Sequence, residues 1–181
     1  EALQKAVEAH KAGAGQEAGH LYTAILKAQP KHPDANHNMG VLAISVGKVQ
    51  EALPFFKTAL EANSSISQYW LSYIDALIQL DQIVDAQTEL DQAKGKGASG
   101  QAFERLEQRL NELTETQVEA DLYIDGQNQV RPNVLDSLKL DQAIRLARKK
   151  AKEGSPEDSN RIYNDILTRF PQNKRALDGI K

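Results

Sequence analysis

A displacement of 34 residues constrains this chain more than any other feature of its sequence. Gly13, Ala18, Tyr22, Ile25 and Leu26 recur as Gly47, Ala52, Phe56, Ala59 and Leu60, every pair 34 positions apart. A third copy at the same displacement keeps Ala86, Leu90 and Ala93. A fixed period of this length marks a repeat array, in which a unit too small to bury its own apolar face does so by stacking on its neighbours. Residues such as Leu3, Ala6, Val7 and His10 fall at helical spacing, so each unit reads as a pair of helices. The small residues Gly40, Ala52, Ala59, Ala86 and Ala93 let helix backbones approach, and Tyr22, Phe56 and Leu90 fill the space between hairpins.

The second copy, from about Pro33 to Ile66, carries Asn36, Met39-Gly40, Ala43, Gly47, Ala52, Phe56 and Ala59-Leu60. This pattern resembles the tetratricopeptide repeat (TPR) family in its bacterial-type arrays, whose unit is a helix-turn-helix of about 34 residues. Departures are local. Asn36 stands at the family's usual Trp position, and Ser64 where Pro is favoured. The first copy has Ala6 for the helix-A glycine, and the third has Trp70 but Ile74 and Asp81 for its two glycines. The resemblance implies an all-α fold, a TPR helical-hairpin solenoid in two arrays separated by an irregular linker.

The linker reading comes from a break in phase. Ile144, Ala147, Gly154, Tyr163, Ile166, Leu167 and Pro171 repeat Leu3, Ala6, Gly13, Tyr22, Ile25, Leu26 and Pro30 at an offset of 141, which is not a multiple of 34. The expected division is an N-terminal array at 1–117, a linker at 118–139 and the truncated start of a second array at 140–181. The first array holds about three repeats and a capping helix at 101–117, whose apolar face is Phe103, Leu106, Leu110 and Leu113. The chain begins inside a helical pattern without Met and ends as another helix begins, so a fragment of a longer protein is expected. The glycine-rich Lys94–Gly100 lacks the phosphate-loop spacing and follows a helix, and reads as a connection. Asp121–Gly126 invites a calcium-loop reading, but Tyr123 and Pro132 occupy ligand positions; a turn at Asp125-Gly126 with short flanking strands is expected instead.

Composition excludes more than it identifies. The formal charge is −3, and no cysteine is present, so neither a global attraction to nucleic acid nor disulfide chemistry is expected. No run of apolar residues is long enough to span a membrane. The compartment is not fixed by these features, the cytoplasm being favoured. His10, His20, His32 and His37 include no pair at metal-ligand spacing, and no nucleophile has an evident base. No metal, no cofactor and no catalysis are expected.

By resemblance, the peptide-facing positions of the concave groove fall on His37, Asn38, Val41, Ile44 and Ser45 and on Gln68, Leu71, Ser72, Asp75, Ile78 and Gln79. Leu3, Gln68 and Ser72 stand where the chaperone-binding subclass places its basic clamp, so a carboxylate clamp is not expected. Val41, Ile44 and Ile78 could equally pack against neighbouring helices. Charge is uneven: residues 1–139 carry −7 and residues 140–181 carry +4. Arg145, Arg148 and Lys152 share one helix face, a candidate patch for an acidic ligand. Without interleaved aromatics it is a poor nucleic-acid site. The expected function is a non-catalytic scaffold that binds a peptide or partner helix in the TPR groove. Two alternatives stand beside it. One is the substrate-recognition arm of a larger transferase, from a resemblance to TPR arms of bacterial sulfotransferases and glycosyltransferases. The other is self-assembly into a homo-oligomer through exposed array ends.

Overall fold

The computed structural model describes residues 1–123 and 132–180, with backbone only at 121–123. Three helical hairpins come first: α1 (Ala2–Lys11) with α2 (Gly15–Ala28), α3 (Pro33–Ser45) with α4 (Val49–Ala62), and α5 (Ser67–Gln79) with α6 (Ile83–Gly95). Then follow α7 (Gln101–Tyr123), a 3-10 turn at Val134–Asp136, α8 (Leu140–Lys152), α9 (Pro156–Arg169) and α10 (Lys174–Leu177). Among the described residues there is no strand. The chain divides into two compact units, Glu1–Gln108 and Arg109–Lys181, with the division inside α7.

The hairpins turn where the repeat dictates. Gly13 and Gly47 adopt φ of +77° and +78°, and Gly154 opens the same turn in the second unit at +84°. In the third repeat Asp81 takes this role at φ 59°, a conformation that Asp tolerates better than most side chains.

The helix entries explain the departure at Asn36. Asn36 is buried, and its Nδ2 donates to the carbonyls of Pro30 and His32, each at 2.9 Å. One repeat later Trp70 is also buried, and its Nε1–H donates to the Ser64 carbonyl at 2.8 Å. The two side chains are 34 apart, and so are their acceptors Pro30 and Ser64. A short amide thus satisfies the same inter-hairpin carbonyl that the indole serves elsewhere. Ahead of α3, His32 Nδ1 accepts from the Ala35 amide at 3.3 Å and caps the helix behind Pro33. Pro54 lies at the sixth position of α4, past the first turn where its missing N–H would be harmless. The carbonyl it leaves without an amide partner is that of Gln50, which is exposed, so water can take it.

Buried clusters in the first unit include Ala6, Ala18, Tyr22 and Ala35, and Ala52, Phe56 and Ala76; Ile74 and Leu90 are fully buried as well. Gly40 faces the Phe56 ring so closely that a Cβ would lie 2.6 Å from its edge.

The second unit is built around Ile144, Leu146, Ala147, Ile162, Tyr163 and Ile166. The helix expected over 101–117 continues to Tyr123. Val118 is the reason: it lies at helical spacing from Leu110 and is buried in this second cluster with Val134 and Leu138. Of the segment expected to be an irregular linker, 118–123 is therefore helical, and the 3-10 turn is fastened to α9. The Val134 amide donates to Asp165 Oδ2, Asn133 Nδ2 to the Asp165 carbonyl and Arg169 Nη1 to the Leu135 carbonyl, each at 3.0 Å. The turn expected at Asp125-Gly126, and most of the calcium-loop reading, fall outside the described residues.

Candidate functional site

In the first unit α3 touches both α1 and α5, so the first helices of successive hairpins share a face. His37 joins two of them. Its side chain is buried, Nε2 lies 2.9 Å from Ser72 Oγ, and Nδ1 lies 3.3 Å from Asn38 Oδ1. Gln68 Nε2 donates to the same Ser72 hydroxyl at 3.3 Å. These roles close on a neutral imidazole that donates from Nδ1 and accepts from Ser72 at Nε2. The ring stacks on Tyr69 at 4.8 Å and 28°, and tilts against Phe56 at 5.7 Å. The Tyr69 hydroxyl in turn donates to the Asp34 carboxylate. Two polar bonds, His37–Ser72 and Tyr69–Asp34, thus tie α3 to α5.

Burial holds the His37 pKa below its ordinary 6.5, while the bond to Asn38 and the charge of Asp34 oppose the shift. Burial, the bond to Asp34 and the Asp34 charge all push the Tyr69 hydroxyl upward. A His with a depressed folded pKa stabilises above its unfolded pKa, and that stability drains away as pH falls towards the folded value. The chain is therefore expected to lose stability as pH falls through the ordinary histidine value of 6.5, measured by urea unfolding with circular dichroism. His37→Gln is expected to flatten that slope, and an unchanged slope would assign the pH dependence to other groups.

The remaining groove positions separate. Asn38, Leu71, Ser72 and Asp75 are partly exposed. Asp75 accepts from Gln79 Nε2 at 2.7 Å. Val41 and Ile44 pack against the Phe56 cluster, and Ile78 is buried, which is the packing role. Ser45 donates to the Leu42 carbonyl at 2.7 Å within its own helix. Asn38 also lies beside the Tyr22 hydroxyl, which is buried without a hydrogen-bond partner. Burial pushes that hydroxyl's pKa up, and the Asn38 side chain draws it back without reaching bonding geometry. Sequence reasoning missed the Asp34–Tyr69 pair. Its signal was a separation of 35, the repeat plus one, which His37–Ser72 shares.

In the second unit the basic run divides by helix face. Lys149 and Lys150 turn to Glu119 on α7, at 2.9 and 3.0 Å, and Lys150 is buried. Arg145, Arg148 and Lys152 stay exposed and, with Lys149 and Glu153, border an open depression of about 460 Å³. Among the described residues no three His, Cys, Asp or Glu side chains gather as a metal site would need, and no helix is long and apolar enough to cross a membrane.

No protein-family model matches the sequence, and no curated protein matches it. Solved structures do match. YrrB, described as a TPR protein with an unusual peptide-binding site, superposes with a TM-score of 0.57 at 15% identity over 98% of this chain and 89% of its own. The TPR domain of Sgt2 from Aspergillus fumigatus gives 0.57 at 16% identity over 73% and 87%. The first TPR of Spaghetti, bound to the HSP90 peptide SRMEEVD, gives 0.56 at 17% over 65% and 90%. The chain has the tetratricopeptide repeat fold. Its α1, α3 and α5 are the helices A of three TPR hairpins, and α8 is the helix A of another. These neighbours give no support to the resemblance to transferase arms.

Proposed function

We propose that the first unit is a non-catalytic recognition module that binds an extended peptide or a partner helix along the helix-A face of α3 and α5. One observation carries the reading: Asn38, Leu71, Ser72 and Asp75 are accessible on a face whose two helices are already tied together by His37–Ser72 and Tyr69–Asp34. A surface fixed before the ligand arrives loses less entropy on binding. Amide, hydroxyl and carboxylate groups beside Leu71 suit docking by shape and hydrogen bonds rather than by charge. The peptide-bound state of the Spaghetti repeat and the peptide-binding site of YrrB support the reading in general. Here Leu3, Gln68 and Ser72 in place of basic residues direct it away from a terminal carboxylate.

A random-peptide library selected on the 181-residue chain supplies the ligand for the test. Asn38→Ala with Asp75→Ala is expected to weaken the selected peptide roughly tenfold or more, with the helical circular dichroism intact. Equal affinity for wild type and double variant would place the interface elsewhere.

A further inference from the structure

The five cations between Arg145 and Lys152 resolve in the fold into two groups with different work. Lys149 and Lys150 are committed to Glu119, and Lys150 also lies 3.5 Å from Glu153. Both stand in the last turn of α8, where they offset the helix dipole. Arg145 and Arg148 lie further back and have neither task. With Lys152 they make no ion pair among the described residues, and all three are exposed beside the depression of about 460 Å³. Three cations side by side, without an ion pair among the described residues, repel one another, a cost that a bound anion removes.

Their spacing selects the anion. From Arg145 to Lys152 the helix rises about 10 Å, in steps of about 4.5 and 6 Å. A single phosphate wants donors converging on one point; these are strung along a line. An extended peptide places alternate side chains about 6.6 Å apart on one side, so a short run of Asp or Glu matches the row. Guanidinium groups bind carboxylates through paired N–H donors. A row of three cations without an aromatic offers a nucleic acid little charge and no stacking.

We infer that Arg145, Arg148 and Lys152 on α8 form a second recognition site, which takes an Asp/Glu-rich internal segment of a partner protein lying along the helix. It belongs to the second unit, whereas the face proposed above, which carries amide, hydroxyl and carboxylate groups, belongs to the first, so the two sites differ in chemistry.

The test is fluorescence anisotropy of labelled deca-glutamate with the full chain across a salt series, with deca-glutamine and short duplex DNA as comparisons. Deca-glutamate is expected to bind at low salt and weaken steadily as salt is added, while deca-glutamine does not bind. Arg145→Ala with Arg148→Ala is expected to weaken it roughly tenfold with unchanged circular dichroism. Lys27→Ala with Lys31→Ala, which removes the same charge from the first unit, is expected to leave affinity unchanged. The inference is overturned by absence of deca-glutamate binding at low salt. It is also overturned by equal binding to both double variants, or by duplex DNA binding more tightly than the peptide.

Discussion

Replacing Gly40 by alanine is expected to destabilise the chain by about 2 kcal/mol, even though alanine is the better helix former by about 1 kcal/mol. The added Cβ would lie 2.6, 2.8 and 2.9 Å from three atoms of the Phe56 ring. That ring has no room to withdraw: Phe56 is fully buried, with His37 on one side and the Ala52–Ala76 cluster around it. Overpacking of this kind costs about 1–3 kcal/mol and sometimes more, so it outweighs the gain in propensity. A urea midpoint lowered at constant m-value is the readout. Phe56→Leu in the Gly40→Ala background is expected to cost much less than it does alone, because the smaller side chain relieves the clash. A Gly40→Ala variant as stable as the parent would mean that the two hairpin helices are not in this close approach.

The second large effect is expected at Glu119. Its carboxylate is the partner of the buried Lys150 and of Lys149. Glu119→Ala removes a carboxylate 3.0 Å from the buried Lys150 ammonium, and is expected to cost about 2 kcal/mol at neutral pH. Burial alone would raise the Glu119 pKa, but the bonds and charges of the two lysines hold it below the ordinary 4.5. A carboxylate with a depressed folded pKa stabilises above its unfolded value, and the contribution is lost as pH falls through the folded one. The gap between parent and variant should therefore be full at neutral pH and close below pH 4.5. Urea titrations at about pH 7 and about pH 3 measure both. A gap that persisted in acid would show that Glu119 acts by packing rather than charge.

The repeat was legible because its determinants are local. Glycine at the turns, alanine at the crossings and large apolar residues between them each occupy a fixed place in the period, so hairpins, turns and crossing points could be set down from spacing alone. The polar ties were not, because they join successive repeats through side chains whose reach spacing does not encode. Asn36 appeared as a departure at a Trp position, yet it serves the carbonyl that its Trp70 equivalent serves. Helical spacing already set Arg145, Arg148 and Lys152 apart as one face of the basic run. It did not show that α7 extends far enough to bring Glu119 against Lys149 and Lys150, because Val118 alone was too thin a signal to extend that helix. His37 and Ser72 were both picked as groove positions, but nothing in the sequence said that they bond to each other.

The chain's single tryptophan, Trp70, is buried in the first unit with its indole N–H held by the Ser64 carbonyl. The second unit contains none. Intrinsic tryptophan emission therefore reports the surroundings of one hairpin in one half of the molecule, whereas far-ultraviolet ellipticity averages over the helices of both. If the halves come apart at different denaturant concentrations, the optical transition at the indole and the loss of ellipticity will not coincide. The chain carries its own label for asking whether it melts as one cooperative body or as two.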